Sequence, residues 1–177
     1  GVSFEGRAAK ERHDIKIENN TLIEGETGHG IVHTGGINRA HLKVLGNTEI
    51  VGELEGVRVT GELQNGARVN IDDNAKVDGG RDGIHVKDDT AGGAVVEITG
   101  NLDVTGDSRD GIRGRNVDGV LVDSNNVNDT GRHGVYLSNS DNATVSGNSI
   151  SNAGGNGVFI NPSDFASVTG NTIEDVE

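Results

Sequence analysis

An all-β solenoid of stacked parallel strands is the fold class this chain predicts, and three observations predict it. Seven asparagines, Asn20, Asn47, Asn74, Asn101, Asn125, Asn148 and Asn171, recur at spacings of 27, 27, 27, 24, 23 and 23 residues. Each follows a β-branched residue three positions earlier, namely Ile17, Val44, Ile71, Ile98, Val122, Val145 and Val168. A glycine followed by an apolar residue recurs nine or ten residues after most of these asparagines, at Gly30-Ile31, Gly56-Val57, Gly83-Ile84, Gly111-Ile112, Gly134-Val135 and Gly157-Val158. No helical period accompanies these markers, so each repeat is one turn of a solenoid made of short β pieces.

The elements follow from the repeat. Residues 120–142 superpose on 143–165 without a gap, and a third copy begins at Ala166. Within a copy, Val145-Ser146-Gly147-Asn148-Ser149-Ile150 reads as strand, turn, strand. Gly157-Val158-Phe159-Ile160 reads as a further strand, with Val158 and Ile160 inward and Phe159 outward by the two-residue alternation. Because the chain keeps one direction from coil to coil, equivalent strands stack in parallel, about 4.8 Å apart. Gly-Asn pairs at 46–47, 100–101, 147–148 and 170–171 mark turns, and stacked asparagines are expected to bond side chain to side chain along the axis. The reading is one domain over residues 1–177 with about seven coils of 23–29 residues, 27-residue coils to about residue 100 and 23-residue coils after about 120. The chain opens on Gly1-Val2-Ser3-Phe4, itself a glycine marker, and stops at Glu177 before the next one, which predicts a segment of a longer solenoid.

Composition agrees. A hydrophobic share of 32% with 2% aromatics is thin for a globular core, whereas a solenoid rung needs only a few inward aliphatic side chains. The net charge of −13 speaks against a nucleic-acid partner, and no apolar run is long enough to insert in a membrane. Zero cysteines and zero methionines exclude disulfides, thiolate metal sites and a cysteine nucleophile, which suits an extracellular or cell-surface location.

On these motifs the chain resembles right-handed parallel β-helix proteins of the carbohydrate-associated type over essentially its whole length. That group includes polysaccharide lyases, hydrolases and epimerases, tailspikes and adhesins. Arg132-His133-Gly134 is similar to the Arg-His-Gly of alginate C5-epimerases, whose arginine and histidine contact the uronate. The Tyr-Gly-Phe-Asp-Pro-His motif of those enzymes has no counterpart: the equivalent stretch reads Asp82-Gly83-Ile84-His85-Val86-Lys87.

Stacking the glycine markers aligns columns of side chains expected to point outward. Two residues before the glycine stand Leu54, Arg81, Arg109, Arg132 and Gly155; one before stand His29, Glu55, Asp82, Asp110, His133 and Asn156; two after stand Val32, Arg58, His85, Arg113, Tyr136 and Phe159. Arg58, Arg81, Arg109, Arg113, Arg115 and Arg132 thus gather on one face of an acidic protein. Arginine's planar fork suits carboxylate, sulfate or phosphate, so Arg58, Arg81, His85, Arg109, Arg113, Arg132, Tyr136 and Phe159 form the candidate ligand-binding set for a polysaccharide of anionic type. A purely structural alternative is that Arg81, Arg109 and Arg132 neutralise Asp82 and Asp110. Asp82, Asp110 and His133 are the candidate catalytic groups, since neighbouring carboxylates drive each other's pKa values apart.

No cofactor is expected. Calcium has only the loop cluster Asp72, Asp73, Asp78, Asp88 and Asp89 in its favour, without an EF-hand or nonapeptide spacing. Self-association through the solenoid ends or as a trimer is compatible with the fold. Two functions remain open: a structural, glycan-contacting segment of a secreted, surface or spike protein, or a lyase, epimerase or hydrolase acting on an anionic polysaccharide.

Overall fold

A computed structural model describes residues 1–5, 14–88 and 93–177. All the regular structure there is β, arranged as a right-handed parallel β-helix of three seven-stranded sheets and one two-stranded ribbon. The first sheet runs through Val2–Glu5, Ile31–Thr34, Val57–Gly61, Ile84–Asp88, Ile112–Arg115, Val135–Ser138 and Val158–Ile160. The second begins at Ile15–Glu18 and ends at Ser167–Thr169; the third begins at Ile23–Gly25 and ends at Thr172–Val176. Every pairing is between a strand and its equivalent one coil away, and every pairing is parallel.

Aliphatic columns fill the interior because the first and second sheets hold their register from coil to coil, where a one-residue slip would turn each inward side chain out; the third sheet takes up one extra residue as a bulge between Val127 and Thr130. Ile17, Val44, Ile71, Ile98, Val122 and Val145 stack in the second sheet, and Ile31, Val57, Ile84, Ile112 and Val135 in the first; all are at most 5% exposed. Val168, in the outermost described strand of the second sheet, is 47% exposed.

Two backbone columns explain the markers. The residue before each ladder asparagine is left-handed: Asn19, Gly46, Asp73, Gly100, Ser124, Gly147 and Gly170 have φ between 52° and 64°. The glycine of the second marker is needed for close approach. A Cβ at Gly30, Gly56, Gly83, Gly111 or Gly134 would lie 2.7–2.9 Å from the carbonyl oxygen of the next coil's glycine.

The shortening from 27 to 23 residues falls between the glycine marker and the next asparagine. From Gly56 to Asn74 is 18 residues, from Gly134 to Asn148 only 14. In the longer coils this connection carries the ribbon Ile37–Asn38 with Leu63–Gln64. The turn from the third sheet into the first varies by only one residue, and the register of the first sheet keeps the columns flanking the glycines aligned across the change in period.

Candidate functional site

The predicted columns converge at the turn from the third sheet into the first. Arg58, His85, Arg113, Tyr136 and Phe159 lie in strict register on the first sheet. Arg81, Arg109 and Arg132 stack beside them: Arg109 N–H donates to the Arg81 carbonyl at 3.2 Å and Arg132 N–H to the Arg109 carbonyl at 2.7 Å. Arg115 is exposed on the same strand as Arg113.

One expectation is corrected. Glu55, Asp82 and Asp110 are not outward side chains but fully buried, and His133 is 8% exposed. The cause is a hydrogen-bond ladder. Asp110 N–H donates to Asp82 Oδ1 at 3.2 Å, His133 N–H to Asp110 Oδ1 at 3.3 Å, and Asn156 N–H to His133 Nδ1 at 3.1 Å. Asp82, Asp110 and His133 therefore each satisfy a backbone N–H of the next coil with one atom and leave the other for side-chain partners.

The arginines meet those remaining atoms. Arg113 bonds Asp110 at 3.2 Å and Arg58 bonds Glu55 at 3.5 Å, while Arg81 to Glu55, Arg109 to Asp82 and Arg113 to Asp82 are longer, at 3.9, 3.6 and 3.9 Å. His85 sits 3.9 Å from Glu55 and 3.8 Å from Asp82, beyond hydrogen-bond reach of both. Asp82 Oδ2, Arg113 Nε and both ring nitrogens of His85 are buried without a hydrogen-bond partner. Unpartnered polar atoms at this depth are costly, and four within one cluster mark it as built for more than packing.

Charge sets the protonation states. Burial pushes Glu55 up, but His85, Arg58, His29 and Arg81 together hold its carboxyl down at about 2. Asp110 goes the other way: burial and the adjacent Asp82 raise it to about 6 against Arg132, the His133 N–H and Arg109. Burial and Arg132 lower His133, which stays neutral at pH 7. Because His133 Nδ1 accepts the Asn156 N–H, the ring proton belongs on Nε2. That nitrogen faces Arg132 Nη2 at 3.2 Å, so two donors confront each other.

The two aromatic residues of the predicted set stack on one another beside the arginines. Arg113 lies 4.9 Å over the Tyr136 ring, and Phe159 stacks on Tyr136 from the next coil at 5.7 Å and 8°. Tyr136 is thus sandwiched and steadies Arg113. His133 stacks on Phe159 at 4.8 Å and 7°. Glu55, Arg58, Asp82 and His85 meet here, so Glu55 belongs to the site although sequence reasoning did not select it. Its position in the column of Asp82 and Asp110 was the available signal. Among the calcium candidates, Asp88 caps Leu63 N–H at 3.1 Å, Asp72 and Asp78 accept from Thr99 and Thr105, and Asp89 lies outside the described residues.

With this geometry in place, comparison with known proteins gives one match: a family model described as periplasmic copper-binding protein (NosD) covers residues 13–177. The chain belongs to the NosD family. No curated protein and no solved structure matches it. The NosD family is periplasmic, which agrees with the expected location outside the cytoplasm, and its repeat architecture agrees with the stacked coils.

Proposed function

We propose that this exported solenoid serves as a rigid scaffold that holds an anionic polysaccharide on the arginine face of its first sheet. One observation carries the reading: the guanidinium groups of Arg58, Arg81, Arg109, Arg113 and Arg132 gather over only three carboxylates, Glu55, Asp82 and Asp110, in a protein of net charge −13. Simple neutralisation needs no such excess. The buried carboxylates hold the forks in place, and long contacts of 3.6–3.9 Å leave donors free for a ligand. Titration with oligouronates and with neutral oligosaccharides of equal length tests it. Binding of the acidic series alone, weakened by Arg109→Ala and Arg132→Ala and by added salt, is the expected result.

The family description favours a second reading, copper. The chain has no cysteine or methionine, so the soft sulfur ligands suited to cuprous ion are absent. Glu55, Asp82 and His85 offer two oxygens and an imidazole within 4.8 Å of one another, a donor set of cupric type. Four arginines already occupy the surroundings of those carboxylates, and a dication would have to displace them. The residues therefore fit copper poorly, and a cupric titration followed by electron paramagnetic resonance should show no imidazole-bound signal that His85→Ala removes. Turnover of the polysaccharide would centre on Asp110, the carboxyl held near pH 6; ultraviolet detection of unsaturated ends and end-group analysis check for it.

A further inference from the structure

The positive charge of this face is periodic along the solenoid axis. Taking coils by their glycine markers, Arg58 belongs to the coil of Gly56, Arg81 to that of Gly83, Arg109 and Arg113 to that of Gly111, and Arg132 to that of Gly134. Four consecutive coils each contribute at least one guanidinium, and the coil of Gly157 contributes none, having Gly155 and Phe159 at the equivalent positions. Successive coils rise by about 4.8 Å. Arg81, Arg109 and Arg132 are neighbours in one column, an arrangement of like charges that is unfavourable by itself. The buried Glu55 and Asp82 offset part of this at 3.9 and 3.6 Å from Arg81 and Arg109, and a line of anions with the same repeat gives each guanidinium an outer partner of its own.

We infer that the ligand is an extended acidic polysaccharide lying along the solenoid axis, with about one anionic sugar per coil over the four coils from Arg58 to Arg132. This rests on the anionic-glycan reading above and adds its direction, length and charge spacing. A pyranose unit is about as long as one coil is tall, so a linear polyuronate keeps step with the rungs. Nucleic acid carries charge far more densely, one per about 1.7 Å of duplex, and would overrun a track bordered by an acidic surface. The track ends where Arg132 Nη2 and the His133 Nε2 proton face each other at 3.2 Å, since one carboxylate placed there accepts from both. Beyond it the stacked rings of His133 and Phe159 replace charge.

Isothermal titration of the whole chain with oligouronates of one to eight units, at low salt, tests the inference. Affinity should climb by about 10²-fold from one unit to four, as linked sites engage in turn, and then level off, gaining no more than about two-fold to eight. Arg109→Gln, in the middle of the track, should reduce the gain from length. Arg68→Gln on the second sheet should change nothing. Thermal unfolding of each variant verifies that it is folded, and the length series on the unmodified chain stands without any variant. Equal affinity for one unit and for eight would overturn the axial track while leaving the anionic-glycan reading intact. Absence of binding by any acidic oligomer would overturn both. Single-stranded DNA or polyphosphate binding more tightly than a uronate of equal charge would overturn the polysaccharide assignment.

Discussion

Two polar columns run the length of the same solenoid, and they differ in one respect that separates scaffold from site. The asparagine column, at the turn from second sheet to third, is neutral and closed on itself. Asn47, Asn74, Asn101 and Asn125 are each at most 2% exposed, and Nδ2 of each donates at 2.8–3.0 Å to Oδ1 of the next asparagine and at 2.8–3.0 Å to a strand carbonyl one coil behind. The acidic column, at the turn from third sheet to first, uses the same trick with only half its atoms and leaves Asp82 Oδ2 and both nitrogens of His85 unpartnered. A ladder that satisfies every group needs nothing further; one whose carboxylates meet arginines at 3.6–3.9 Å has hydrogen-bonding capacity left over.

The largest effect should come from breaking the frame both columns hang on. Val145→Asp places a charge between Val122 and Val168 where no neighbour can pair with it, and cooperative thermal unfolding should disappear. Next, Asn101→Ala removes the bonds to Asn125, Ile71 and Thr99 and leaves Asn74 without its acceptor. A loss of about 3 kcal/mol in denaturant unfolding is expected, because partners on both sides are orphaned at once.

The acidic column should respond in the opposite sense. Asp110 titrates at about 6 in the fold, above the ordinary aspartate value of about 3.9, so its stabilising contribution is complete below about pH 4 and is lost as pH rises through 6. Asp110→Asn keeps the acceptor for His133 N–H and copies the protonated form. At pH 8 the variant should be more stable than the parent by about 2–3 kcal/mol, and the difference should vanish near pH 4. A variant less stable at pH 8 would mean that the Arg113 pair outweighs the repulsion by Asp82.

A smaller effect is expected from His33, buried at 2% exposure with both nitrogens unpartnered, and lowered in pKa by that burial. Its neutral form stabilises the fold above pH 6.5, and this contribution falls away as pH drops below it. Val59 and Val86 occupy the same inward column. His33→Val should therefore flatten the acid limb of the stability curve below about pH 6.5, leaving that above pH 7 changed by about 1 kcal/mol.

Much of this was legible in the residues, and for a physical reason: a solenoid repeats its constraints, so Asn47 and Asn148 report the same turn and Gly83 and Gly134 the same close approach. The arginine columns were legible too, since register follows from the glycine spacing. Burial of Asp82 and Asp110 was not, because alternation describes strands and these residues sit in the turn, where the backbone bends their carboxylates under the next coil's N–H. The stack of Tyr136 on Phe159 was legible from the register, and only the geometry reveals that Arg113 covers the other face of Tyr136. The left-handed conformations of Asp73 and Ser124 escaped notice because glycine marks that column only in alternate coils at first.

The contrast between the two columns is measured most directly by following thermal unfolding of the parent, Asn101→Ala and Arg109→Ala with and without a saturating oligouronate. The account predicts a lowered melting temperature but a preserved ligand-induced rise for Asn101→Ala, and a clearly diminished ligand-induced rise for Arg109→Ala. A ligand-induced rise that survives Arg109→Ala undiminished, or no rise in the parent at any salt concentration, would contradict it.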